Sequence, residues 1–211
     1  MHPADEHREH RGPRGGVTVR GAGAVDVTPD VVVADLATEA RAGDVGQALS
    51  SATAALAAVR AALRTAGVPD ADVRTGTTST WTEQVEDRLR VVAHLGLVVT
   101  LRHVPSAGDV VTAALAAGGD EVRLGGLRLV VADPGPARGQ ARELAWQDAR
   151  ASAEHLAHLA GRGLGPVLWV HEDDPSGGAA PAFARVAGAM PVEPGEQAVR
   201  AALTARWAWA D

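Results

Sequence analysis

From Ala141 to Arg162 the chain reads ARELAWQDARASAEHLAHLAGR, an alanine-rich stretch carrying Ala145, Asp148-Ala149, Ala153 and Leu156-Ala157 without a proline. Such a sequence predicts a helix. Small side chains at that density let its axis lie very close to whatever it covers. Glycines at 161, 163 and 165 stop it, and PVLWV at 166–170 reads as a buried strand. A helix this slim, followed by a strand this apolar, calls for a sheet beneath it.

The rest of the chain supplies strands. Val17-Thr18-Val19-Arg20 opens a first one, and VVVADLATEAR at 31–41 alternates, with Val32, Ala34, Leu36 and Ala40 on one face and Asp35, Glu39 and Arg41 on the other. That is the pattern of a sheet with one wet face. Asp44 is placed to cap a helix over about 45–66, with Gly67 at its C′ position and Pro69 beyond. A Thr- and Ser-rich strand at 73–84 turns at Glu86-Asp87 into residues 88–102. There Leu89, Val91, Ala93, Leu95, Leu97, Val99 and Leu101 share one face. A helix at 106–117, a strand at 121–132, the alanine-rich helix over about 136–162, a strand near 166–172 and a last strand at 197–209 complete the series. Long strands with tight turns favour antiparallel pairing. The expected fold is α+β, an antiparallel sheet with helices packed on one face, in the order β-β-α-β-β-α-β-α-β-β. Residues 1–16 read as a disordered polar tail, 17–211 as a single domain, and the Gly-, Pro- and Ala-rich 173–190 as a mobile loop.

Composition narrows the function. A net charge of -6 argues against nucleic acid. With no cysteine, disulfides, thiolate catalysis and thiolate metal sites are excluded. No run approaches the roughly 18 apolar residues of a membrane span, so no membrane partner is expected. If Met1 is the native start, the opening MHPADEHREHRGPRGG, with no apolar signal region, points to the cytoplasm; if an export signal has been trimmed away, export is expected instead.

No chemistry assembles from the motifs. Gly21-Ala22-Gly23 precedes a strand rather than a helix, so it reads as a sheet bend or bulge, not a nucleotide loop. His7-x-x-His10, the pair His155 and His158, and the run Glu172-Asp173-Asp174 lack the further ligands of a metal site. Asp148 has no nucleophile beside it, and no serine sits in an elbow motif. No catalytic residues, metal or cofactor are therefore assigned, although a hydrolase with an unrecognised site stays open. Trp207 and Trp209 share a face of the last strand and suit either the core or a subunit contact; Trp81 and Trp169 are equally ambiguous. With Phe183 and Met190 in the loop, Trp207 and Trp209 make up the candidate interaction surface.

The chain resembles the SIMPL-domain (DUF541, YggE-like) family. The matching pieces are Gly21-x-Gly23-x-Val25 with Pro29-Asp30, Ala66-Gly67-Val68 before Asp72-Val73-x-Thr75, and Leu115 to Gly118-Gly119. To these add Ala145-x-x-Asp148-Ala149-x-x-x-Ala153-x-x-Leu156-Ala157 with Leu164-Gly165, and Pro191-Val192-x-Pro194-Gly195. The resemblance implies an α+β domain that assembles into oligomers; bacterial relatives are usually exported and tied to oxidative-stress defence or surface antigens, and a mammalian one is a signalling adaptor. It implies no catalytic residues. The function expected is a non-enzymatic, self-associating scaffold or adaptor, forming a homo-oligomer and contacting a protein partner. The alternative is a small-ligand binding module using a groove near the 173–190 loop.

Overall fold

The computed structural model describes residues 15–173 and 195–210. The elements are β1 (Gly16–Val27), β2 (Val31–Ala42), α1 (Val45–Thr65), β3 (Val73–Val85), β4 (Arg88–Leu101), α2 (Ala107–Gly118), β5 (Val122–Val130), α3 (Gly135–Leu159), β6 (Gly163–Asp173) and β7 (Gln197–Ala210). Their order is the one expected, and the class is α+β. The strands do not join one sheet, however. They form a three-stranded sheet, β1-β7-β6, and a four-stranded sheet, β3-β4-β2-β5, in two compact units.

The second unit, Thr28–Ala132, is built on β2 and β4, which pair antiparallel from Val32↔Leu101 to Ala42↔Val91. Helices α1 and α2 cover the face carrying Val32, Ala34, Leu36, Leu97, Val99 and Leu101. Thr38, fully buried among them, donates its hydroxyl to the carbonyl of Ala52 in α1. Asp44 caps α1 by accepting the Gln47 N–H at 2.9 Å. At the other end Gly67 takes φ +81°, with Val68 N–H bonded to Leu63 and Gly67 N–H to Arg64. This is a Schellman closure that only a residue tolerant of positive φ completes cheaply. Glu86 and Asp87 both adopt positive φ, 47° and 59°, forming the primed two-residue turn that suits the twist of the β3–β4 hairpin. The opposite face of β2 is less wet than its alternation implied. Asp35 and Glu39 are polar there, but Val31, Val33 and Ala37 are buried.

In the first unit α3 lies over β1 and β7. Six alanines, at 137, 141, 145, 149, 153 and 157, are its buried residues. The spacing of four follows one ridge of the helix surface. Ala145, Ala149 and Ala153 pack on Val17, Val19, Leu203, Ala205 and Trp207. The ridge seats on the glycines of β1. A methyl group on Gly21 would stand 2.6 Å from Ala149 Cβ, and one on Gly23 would meet the α3 backbone at Ala145 N, also at 2.6 Å. Gly21-Ala22-Gly23 lies within the continuous strand β1. It is strand backbone stripped of side chains so that α3 can touch it. Asp148 completes the seam by accepting the Ala22 N–H at 2.9 Å. Gly161 ends α3 as Gly67 ends α1, with φ +66°, Arg162 N–H bonded to Ala157 and Gly161 N–H to His158.

Candidate functional site

β6 is an edge strand. Among the described residues it pairs only with β7, antiparallel, and the ladder is irregular between Leu164 and Val167 and again between Val167 and Trp169. Because α3 sits over the other side of the sheet, β6 is barely covered. Val167, Leu168, Trp169 and Val170 are 41–48% exposed. The sequence reading of this run as a buried strand is corrected here. A continuous apolar run signals burial on both faces, but topology has put it at a margin.

The end of the strand makes polar contacts on both faces. Toward α3, Glu172 receives the Arg142 guanidinium at 2.7 Å. On the other face Asp173 receives Arg20 of β1 at 2.9 Å and the Thr204 hydroxyl of β7 at 3.2 Å. An exposed apolar edge is ordinarily blunted by charge, proline or a covering element, because its free N–H and C=O groups template pairing with another chain. Here Pro166 and the bulges blunt the beginning and the two acids mark the end. Among the described residues no proline, charge or covering element protects the four residues between them, although the second irregularity falls within that stretch.

The tryptophans selected from the sequence divide. Trp207 is 3% exposed and packs against Trp146 with ring centroids 5.5 Å apart, so within this chain it belongs to the core. Trp209 is partly buried on the same cluster and donates its backbone N–H to Gly15. Phe183 and Met190 lie outside the described residues, as do most of the 173–190 segment and the groove expected near it. Two aromatic rings are exposed among the described residues, Trp81 of β3 and, on β6, Trp169. The run VLWV gives no local signal of that exposure, since lost alternation reads as burial.

Two places in the second unit gather ionisable groups. A cavity of about 160 Å³ is lined by Gly67, Pro69, Asp72, Arg102, His103 and Ser106. Arg102 grips Asp72 with two hydrogen bonds, at 2.8 and 2.6 Å, tying the 3₁₀ turn Asp70–Asp72 to the end of β4. Those bonds hold the Asp72 carboxyl below the usual aspartate range and raise the Arg102 guanidinium in turn. A carboxylate so held is a poor base. His103 Nδ1 stands 2.8 Å from Ser106 Oγ, within one turn of chain, and no described residue orients its other ring nitrogen. The second place is a depression of about 260 Å³ on the sheet face away from the helices, lined by Asp35, Ala37, Gly76, Thr77, His94 and Gly96. Beside it Glu39 meets His94 at 3.3 Å, and Arg41 joins Glu83 at 2.8 Å. The ladders of both outer strands are irregular here, β3 between Thr75 and Thr78 and β5 opposite Asp35 and Leu36.

The other candidates stay apart. Asp148 serves the helix–strand seam, Gly161 a helix end, and Glu172 and Asp173 the ion pairs of β6. Among the described residues no three of His, Cys, Asp and Glu converge as metal ligands, and no helix is long and apolar enough to cross a membrane.

Comparison with known proteins extends the resemblance. The family model named SIMPL, protein of unknown function (DUF541), matches residues 17–207. The 26 kDa periplasmic immunogenic protein of Brucella melitensis is 28% identical over 167 residues, covering 74% of this chain and 66% of that protein. Its counterpart in Brucella abortus matches to the same extent. The chain thus spans just under two thirds of the length of these relatives.

Proposed function

The chain belongs to the SIMPL family, and we propose that within it this domain is a self-associating scaffold or adaptor, without catalysis of its own, that works through the open edge of β6. The observation that carries this reading is the exposed block Val167–Val170 on a strand anchored at its end by Glu172 and Asp173. Burying four large apolar side chains against a partner removes area worth about 25 cal/mol per Å² from water. Because the anchored strand is already ordered, little entropy is lost on docking. Four carboxylates support the same reading, since Asp72, Glu39, Glu172 and Asp173 are each engaged by arginine. The Brucella relatives are named periplasmic, whereas the opening residues suggested the cytoplasm. A chain without cysteine folds alike in a reducing or an oxidising compartment.

Light scattering coupled to size exclusion tests the proposal. A mass of two or more chains is expected, falling to one chain in a Leu168→Lys/Trp169→Lys variant. A monomer at high micromolar concentration overturns it. A second reading, a small-ligand binding module, is favoured by the depression at Asp35, His94 and Gly96, where sheet irregularities meet polar groups as they do beside many sites. Saturable thermal stabilisation by a metabolite, lost in His94→Ala, would support it.

A further inference from the structure

Resting on the self-association proposed above, we infer that β6 meets β6 of a second copy edge to edge and antiparallel, about a two-fold axis passing between Leu168 and Trp169. Three features of the strand choose this arrangement. The first is Pro166, which has no N–H to give to a neighbouring strand and so limits the ladder at that end. With the axis between Leu168 and Trp169, Pro166 of each copy stands opposite His171 of the other, and the stretch from Val167 to Val170 lies inside that limit.

The second feature is the match of faces. Val167 stands opposite Trp207 of β7, and Val170 opposite Ala205. Trp207 and Ala205 belong to the cluster beneath α3, and directly opposed residues in a ladder share a face. Val167 and Val170 therefore lie on one face although they are three apart, because the irregularity between Val167 and Trp169 absorbs the odd residue. Trp169, opposite Arg206, is on the other face. With the axis between Leu168 and Trp169, Val167 of one copy lies beside Val170 of the second on the helix side, and Leu168 lies beside Trp169. The apolar block is its own complement.

The third feature is charge. In this register Glu172 and Asp173 fall opposite Gly165 and Leu164 of the second copy, so no acid faces an acid and the ion pairs with Arg142 and Arg20 are kept. An axis displaced toward the end of the strand brings the acids of the two copies together, which like-charge pairing disfavours. Such a contact closes at two copies per edge rather than propagating.

The native chain has no cysteine, so disulfide trapping reads the register directly. A Val167→Cys/Val170→Cys chain, mildly oxidised, is expected to give a covalent dimer on a non-reducing gel, at least tenfold more of it than Val167→Cys or Val170→Cys alone. Both positions are exposed in the single chain, so the variants leave its packing intact. Efficient self-trapping by either single variant overturns this register. Failure of all three to cross-link, while light scattering still shows an oligomer, overturns edge pairing but leaves self-association standing. A monomeric mass overturns both. Cross-linking of the double variant only to a different protein overturns the assignment of a second copy.

Discussion

Adding one methyl group at Gly21 is the sharpest test of how the first unit is packed. In a strand with free space above it, Gly→Ala stabilises by about 0.5–1 kcal/mol, because alanine has less backbone freedom to lose. Gly21 has no such space. The added carbon would stand 2.6 Å from both Ala149 Cβ and Ala149 N, and closer still to the carbonyl oxygen of Ala145. Carbon contacts sit near 3.5–4.0 Å, so α3 has to lift by about 1 Å. The obstacle is mostly helix backbone, which cannot rotate aside as a side chain would. Lifting also separates Ala145, Ala149 and Ala153 from Val17, Val19 and Leu203. Overpacking costs typically about 1–3 kcal/mol, and a backbone obstacle places Gly21→Ala at the upper end. After the entropic gain is subtracted, a net loss of about 2 kcal/mol remains, more than tenfold in the folding equilibrium. Gly139, in the same helix with open space around it, is the control: Gly139→Ala is expected to gain about 0.8–1 kcal/mol. Urea unfolding followed by tryptophan fluorescence reports the outcome, since Trp146 and Trp207 stack in this core. Adding Ala149→Gly to Gly21→Ala removes the Cβ contact but leaves Ala149 N and the Ala145 carbonyl in the way, and it costs about 1 kcal/mol of helix propensity, so no net recovery is expected. A Gly21→Ala midpoint equal to or above the parent's would refute the close seating of α3 on β1.

Three further perturbations have definite signs. Replacing Glu86-Asp87 by Asn-Gly, residues at ease with positive φ, is expected to raise the urea midpoint by an amount equivalent to about 0.5–1 kcal/mol; an unchanged midpoint would mean the turn carries no strain. Asp148→Ala strips the Ala22 N–H of its acceptor and is expected to cost about 1 kcal/mol. Asp148→Asn, whose amide oxygen still accepts, should cost less, and equal losses in the two variants would argue against the hydrogen bond. Asp72 titrates below the ordinary aspartate value in the folded chain. Its pairing with Arg102 therefore stabilises above the unfolded-state pKa of about 3.9 and is lost as pH falls through the lower folded value. Asp72→Asn should be destabilising at pH 7, with the gap to the parent narrowing below about pH 4; a gap unchanged at pH 3 contradicts the ion pair.

Local chemistry was legible in the residues because its causes are local. Asp44, Gly67, Gly161 and the Glu86-Asp87 turn each do what a cap or a primed turn requires within a few residues of chain. The alternation in β4 likewise shows in its burial, with Leu97, Val99 and Leu101 inside, although Leu89 at the hairpin end runs out into solvent at 72% exposure. Pairing was not legible, since period two fixes which residues share a face but not which strand lies alongside. β1 joins β7 across most of the chain's length, and that non-local choice is what divides one expected sheet into two. It also decides the fate of two similar tryptophans. Trp207 on the central strand is covered, while Trp169 on the margin is not, and nothing in either residue's own neighbourhood distinguishes them.

The same geometry accounts for several of the pieces by which the chain resembles its family. Gly21, Gly23, Ala145, Asp148, Ala149 and Ala153 form one continuous seam in which strand backbone, helix ridge and a single carboxylate fit together. Gly67 closes the helix that covers the other sheet. Each of these residues is explained by close approach, a positive φ or one backbone hydrogen bond, and each is spent on holding an element in place. The proposed contact is carried by residues the seam does not use. Val167–Val170 fit that description: they lie one strand beyond the packed core, on a segment whose end is paired with Arg142 and Arg20.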